Sequence, residues 1–122
     1  ELHRIARAGA MATIRCPHGA SDDADEDPTH LRRMFPTSFG YFSQPFYWRA
    51  DYGYRGDWQP QRITLFVDRA ANAGLTIGQI LQKVHNLRNV VIEMVAELAA
   101  VKPIRPPERA LQQPPHIDVT FA

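Results

Sequence analysis

The sequence predicts an α+β protein organised around one long amphipathic helix, and three observations lead to that prediction. Apolar residues recur with helical spacing over residues 77–101, while residues 62–68 and 116–121 alternate in the way that half-buried strands do. With 122 residues and a hydrophobic content of 44%, the chain has the size of one ordinary domain. Its 10 prolines and 7 glycines fall mostly outside the predicted helix, so we expect the rest to be irregular or extended.

Residues 1–30 are predicted to be an extended N-terminal arm, and residues 31–122 a single small domain. Residues 1–15 are basic and rich in alanine, which is typical of the trailing part of an organellar presequence; the alternative is a short N-terminal helix followed by a second start at Met11. The carboxylates of the acidic cluster at residues 22–27 repel one another, so we expect them to be solvated. The single cysteine, Cys16, excludes an internal disulfide and favours an intracellular setting.

Residues 31–60 contain both tryptophans, all four tyrosines and four of the six phenylalanines. Prolines and glycines interrupt this segment so often that neither a long helix nor a central strand fits it. It either coats the protein's own core or inserts large rings into a neighbour. We take Phe46, Trp48 and Trp58 as its anchors, because rigid rings with a polar edge suit such contacts.

The regular part of the chain begins with a strand over residues 62–68 that has one clearly apolar face. A helix then begins at Thr76, whose hydroxyl can cap it, and Gln79 occupies the reciprocal position of a capping box. The helix is expected to end near residue 101, because Pro103 follows and restricts the residue before it.

The apolar face of this helix follows a strict heptad repeat, which forms a narrow stripe that a facing helix covers in a coiled coil. Its residues are Ile77, Ile80, Val84, Leu87, Val91, Met94, Leu98 and Val101. No second segment of the chain predicts a helix of comparable length. We therefore predict that another polypeptide covers the stripe.

A proline-rich spacer occupies residues 103–115, and a strand over residues 116–121 follows it. This terminal strand either returns parallel to the strand at residues 62–68 or adds to the sheet of another chain.

No pattern in the sequence indicates catalysis, a cofactor, a metal or a small-molecule substrate. Cys16 and the nearby histidines lack the spacing of a zinc site, and the acidic cluster lacks the ligand spacing of a calcium loop. Asp68 closes the strand at residues 62–68 and is expected to accept a hydrogen bond in a turn. No stretch approaches the roughly 20 apolar residues of a membrane span.

These features predict a non-catalytic structural or accessory subunit that braces a larger multiprotein complex, in a mitochondrion as the most specific setting. The heptad stripe and the three aromatic anchors would bind the other protein subunits. One alternative is an RNA-contacting protein of a ribosome-like particle that uses the arginines and aromatics of residues 32–62, although a net charge of +1 weighs against it. A second alternative is a free-standing homodimer zipped through the helix.

Overall fold

The structure, a computed structural model, describes residues 1–122 and contains a four-stranded mixed sheet. The strands are β1 (Met11–Cys16), β2 (Trp58–Val67), β3 (Val91–Ala100) and β4 (His116–Phe121), in the spatial order β1-β3-β2-β4. Strand β3 is antiparallel to β1 and β2, whereas β4 is parallel to β2. The α+β class and the terminal strand at residues 116–121 are therefore confirmed, and the terminal strand joins the chain's own sheet. The strand predicted at residues 62–68 lies within β2, which begins earlier, at Trp58, and ends at Val67. The expectation that residues 31–60 hold no part of a central strand is therefore wrong, because β2 pairs with β3 and β4.

The predicted helix over residues 77–101 is wrong. The three helices are short: α1 (Leu2–Ile5), α2 (Asp22–Glu26) and α3 (Ile77–Asn86). The start of α3 is as predicted, because Gln79 N donates to Thr76 Oγ1 at 3.2 Å and Thr76 N donates to Gln79 Oε1 at 2.9 Å. The second half of the predicted helix is β3, which pairs with β1 on one side and with β2 on the other.

The chain turns out of α3 at residues 87–89. Leu87 is extended, and Asn89 has a φ of 57°, a left-handed conformation that asparagine tolerates better than most residues. The Asn89 N–H donates to the Ala20 carbonyl at 2.8 Å, which fixes the turn against the N-terminal region. Three β-branched residues, at positions 90–92, then favour the strand over a continued helix.

A β-bulge explains why the sequence of β3 continues the heptad repeat of the predicted helix. In the pairing of β2 with β3, Phe66 faces Glu93 and Val67 faces Val91, so Ile92 is an extra residue on β3. The bulge places Val91 and Met94 on the same face of the sheet although they are three positions apart. Buried strand residues thus acquire the three-residue spacing of a helical stripe.

One face of the sheet forms the core together with α3 and the 3-10 turn Pro36–Phe42. Nine buried side chains make up this core: Phe39, Ile63, Leu65, Val67, Ile80, Val91, Met94, Ala96 and Leu98. The opposite face is mainly polar, although it includes Phe66 and Val95, and it carries the ion pairs Arg15–Glu93 at 2.6 Å and Arg62–Asp118 at 2.8 Å. Part of the aromatic segment at residues 31–60 therefore coats the protein's own core, which is one of the two arrangements predicted for it.

The N-terminal region contributes β1 and α2 to the fold. Residues 11–15 of the basic run pair with β3 as an edge strand. In α2, two of the acidic residues form ion pairs: Asp22 contacts Arg88 at 3.1 Å, and Asp25 contacts Arg33 at 2.9 Å. These ion pairs offset the mutual repulsion that the sequence suggested, although the side chains remain at the surface.

Candidate functional site

The heptad residues do not form a single surface. Ile80, Val91, Met94 and Leu98 are at most 2% exposed and belong to the protein's own core. They cannot contact a partner in this fold. Because α3 ends at Asn86, the stripe is divided between a helix and a strand.

The other heptad residues are scattered. Ile77 and Leu87 are exposed at opposite ends of α3, whereas Val84 and Val101 are half-buried. Leu87 and Val84 line a groove between α3 and the segment at Phe35, which the buried His18 also lines. The structure therefore leaves no continuous apolar helix face for a partner.

The three aromatic anchors have different surroundings. Trp58 is half-buried at the start of β2, where the His3 ring meets it edge-on with ring centroids 6.0 Å apart. Phe46 and Trp48 remain 37% and 36% exposed. Of the predicted partner-binding residues, these two and the exposed helix-end residues are the ones that a large partner can reach most easily.

Phe46 and Trp48 belong to a wider cluster of surface rings. Tyr41 lies 4.6 Å from Phe46 between ring centroids, and the Tyr47 ring packs edge-on against both Tyr41 and Tyr52. The Tyr47 hydroxyl donates to the Tyr41 carbonyl, and burial raises the pKa of Tyr47. Tyr41 and Tyr52 are 50% and 74% exposed, so the cluster is held in place by its own contacts while much of its surface faces solvent.

Two arginines flank Trp48. The guanidinium carbons of Arg49 and Arg109 lie 4.5 and 5.0 Å from the Trp48 ring centroid, within the range of a cation–π contact. Neither guanidinium forms an ion pair or hydrogen bond within the protein. We refer to this surface as the cationic aromatic patch, and it consists of Tyr41, Phe46, Tyr47, Trp48, Arg49, Tyr52 and Arg109.

An apolar pocket of about 380 Å³ adjoins the patch. Phe46, a member of the patch, lines both the pocket and the depression around Trp48, and Gln112 also lines both. Prolines from three parts of the chain line the pocket, namely Pro36, Pro60, Pro114 and Pro115. Gly40 forms part of its wall, where a Cβ would lie only 2.8 Å from the Phe46 ring, so glycine permits this close approach.

A buried ion pair holds the elements that carry the patch. The Asp57 carboxylate, with no exposed surface, accepts from Arg105 Nη2 at 2.7 Å and from the Gln44 N–H at 3.0 Å. Arg105 also donates to Gln59 at 2.8 Å and to Ser43 at 3.2 Å. Burial acts to raise the pKa of Asp57, but its hydrogen bonds with Arg105 and Gln44 outweigh that effect and keep the pKa below its usual value.

Sequence reasoning missed Asp57, Arg105 and Arg109. Arg105 and Arg109 lie in the proline-rich spacer, and their partners are distant in sequence, so no local pattern marks them. The one available signal was the composition of that spacer, where two arginines and a glutamate interrupt prolines. Asp68, by contrast, accepts from the Ala71 N–H at 2.7 Å, which confirms its predicted role in a turn.

No group of three or more histidine, cysteine or carboxylate side chains comes together in a way that could hold a metal ion. None of the helices has both the length and the apolar composition needed to cross a bilayer. The chain matches no protein-family model, no curated protein and no solved structure.

Proposed function

We propose that the protein is a non-catalytic accessory subunit that binds a larger protein assembly through the cationic aromatic patch. The observation that carries this proposal is the exposure of ordered rings, because Phe46, Trp48 and Tyr52 are between 36% and 74% exposed. Tryptophan, tyrosine and arginine dominate the energetic centres of protein interfaces. A surface rich in all three is therefore suited to a protein partner.

The energetics favour such a partner. Burying one large apolar side chain contributes roughly 1.5 to 3 kcal/mol before the costs of association are subtracted. Contacts within the patch already restrict its rings, since Tyr47 packs against both Tyr41 and Tyr52. Less conformational entropy is then lost on binding than with flexible side chains.

RNA contact through residues 32–62 has weaker support. Three of the five arginines in that segment already pair with carboxylates, in Arg33–Asp25, Arg55–Asp51 and Arg62–Asp118. The paired arginines also lie in different parts of the surface. Single-stranded RNA requires a continuous positive groove, which this distribution does not supply.

A homodimer zipped through the helix loses its basis in this fold. Helix α3 has ten residues, or roughly 15 Å of length, and only a single buried side chain, Ile80, which faces the core. The mitochondrion is the setting to test first for the accessory subunit, because the basic, alanine-rich composition of residues 1–15 favours that organelle.

Photo-crosslinking in native cells tests the proposed function. A photoreactive phenylalanine analogue replaces Tyr52 in the patch, and the matched control replaces Ile92, an exposed residue at the bulge of β3. We expect discrete protein adducts from position 52 that are absent at position 92 and that disappear with Trp48→Ala. Adducts removed by nuclease would favour the RNA alternative, and identical patterns at both positions would contradict the proposal.

A further inference from the structure

The chemistry of the patch also bears on the kind of partner segment that it binds, and this step depends on the proposed function. Trp48 is the one ring in the protein with two guanidinium groups against it, those of Arg49 and Arg109. Elsewhere Arg69 stacks singly on Phe121. Two like charges beside one ring repel each other, and the residues that line the depression around Trp48 include no carboxylate.

A guanidinium stacked on a ring keeps its N–H groups available at its edge. Those groups form a planar fork that matches a carboxylate in a bidentate contact, as the Arg105–Asp57 pair does inside this protein. Because Arg49 and Arg109 are unpaired, a ligand carboxylate would relieve their repulsion without displacing an existing ion pair. Charge complementarity thus favours an anionic ligand.

The surrounding rings distinguish a carboxylate ligand from a nucleic acid. Single-stranded nucleic acids bind by stacking bases on open aromatic faces. In the patch, the rings of Tyr41, Tyr47 and Tyr52 meet each other at angles of 72° and 87°, so their faces point in different directions. This arrangement provides no run of parallel platforms and suits the side chains of a peptide better.

The proline-lined pocket supplies a place for an apolar anchor. It holds about 380 Å³, which accommodates one large side chain, and none of its lining residues is charged. Since Phe46 belongs to the patch and also lines the pocket, an extended peptide can occupy both.

We propose that the cationic aromatic patch recognises an acidic, extended segment of a protein partner, with carboxylates on Arg49 and Arg109 and one apolar side chain in the pocket beside Phe46. The same sites would reject a basic segment, because like charges across an interface are unfavourable.

Selection from a displayed random peptide library against the full chain tests this inference. We expect enriched peptides to contain acidic residues next to a large apolar residue. The double variant Arg49→Gln with Arg109→Gln should weaken their binding about tenfold or more, as loss of charge-assisted contacts does. The matched control, Arg7→Gln with Arg32→Gln, removes two surface arginines outside the patch and should bind like the wild type.

The outcomes distinguish a failure of this inference from a failure of the proposed function. Patch-dependent enrichment of neutral or basic peptides overturns the acidic segment while leaving a protein-binding patch in place. The absence of any patch-dependent peptide overturns the inference, and the crosslinking at position 52 then decides the function independently. Replacing the acidic residues of an enriched peptide by asparagine or glutamine must abolish its binding; retained binding would contradict the inference. Tighter binding of an oligouridylate than of that peptide would contradict it as well.

Discussion

The Asp57 carboxylate and the Arg105 guanidinium form a bidentate ion pair in the interior, with Nε donating to Oδ2 at 2.9 Å and Nη2 donating to Oδ1 at 2.7 Å. Asp57 has no exposed surface, and the Arg105 side chain is 18% exposed. The pair links the start of β2 to the segment after β3 that supplies Arg109. Asp57 also accepts from the Gln44 N–H, so the same carboxylate links the turn that precedes Trp48 to the segment that supplies Arg109.

Breaking this pair should destabilise the protein strongly. Asp57→Ala leaves the Arg105 charge partly buried without its counter-ion, so we expect the free energy of unfolding to fall by about 3 to 5 kcal/mol. Urea denaturation followed by circular dichroism measures the change. Asp118→Ala is the matched control, because it breaks only surface contacts, those with Arg62 and His116, and should cost less than about 1 kcal/mol.

Replacing both members of the pair separates the effect of its charges on stability from the effect of its packing. In the double variant Asp57→Leu with Arg105→Met, neither charge remains to be left unpaired. We expect the double variant to be more stable than Asp57→Ala alone, since apolar replacements of buried ion pairs are often tolerated. A loss of stability equal to the sum of the losses in Asp57→Leu alone and Arg105→Met alone would argue against a coupled pair.

Local signals predicted part of this fold well. The capping box at Thr76 and Gln79 identified the start of α3, and alternation identified β4. The end of α3 was not predictable in the same way, because Val91 and Met94 have a helical spacing that arises from a bulge in a strand. Pairing of β3 with β1 and β2 decides its conformation, and such pairing is a tertiary effect that propensity does not capture.

The candidate site shows the same division. Phe46 and Trp48 could be chosen from the sequence, because large rings in a segment rich in proline and glycine favour a contact surface. The contact of Arg109 with Trp48 could not be predicted, because it depends on the path that the chain takes after β3. The cation pair at Trp48 is therefore a product of the fold.

Substitutions at Asn89 test the turn that ends α3. Asn89→Ala and Asn89→Gly both remove the side-chain hydrogen bonds to Asp22, so they differ mainly in backbone freedom. Because φ is 57°, we expect the alanine variant to be less stable than the glycine variant by about 1 kcal/mol. A continuous helix over residues 77–101 requires the opposite order, since glycine is the poorer helix former. Thermal and urea unfolding of the two variants decide between the structures.

His18 makes the stability depend on pH. Its ring is buried, which lowers its pKa, and Nδ1 accepts from the Ala20 N–H at 3.2 Å. Between the lowered folded pKa and the ordinary value near about 6.5, the unfolded chain binds the proton more readily. Stability from this group is therefore present above about pH 6.5 and is lost as the pH falls through the folded pKa, by at most about 1.4 kcal/mol for each pH unit.

The substitution His18→Asn tests this dependence, because an asparagine side chain keeps an acceptor near the position of Nδ1 and has no titrating ring. We expect this variant to lose less stability on acidification than the wild type. The measurement is the free energy of unfolding from about pH 7.5 to about pH 5.5. His85→Asn, on the exposed surface of α3, is the control and should retain the wild-type slope. An unchanged slope in His18→Asn would contradict this assignment.

The two guanidinium groups beside Trp48 should be detectable in its fluorescence. Trp58→Phe leaves Trp48 as the single tryptophan. A unit charge about 5 Å from the ring contributes roughly 0.8 kcal/mol in water, less after screening by salt. Attraction by Arg49 and Arg109 should therefore make iodide quench Trp48 about two- to fourfold more efficiently than in their double glutamine variant. Caesium, a cationic quencher, should show the reverse order, and neutral acrylamide should report similar exposure in both. Acrylamide is the control, because it reports any change in the exposure of Trp48 whatever the charge. If iodide and acrylamide each quench the two proteins equally, the two guanidinium charges do not lie at the ring.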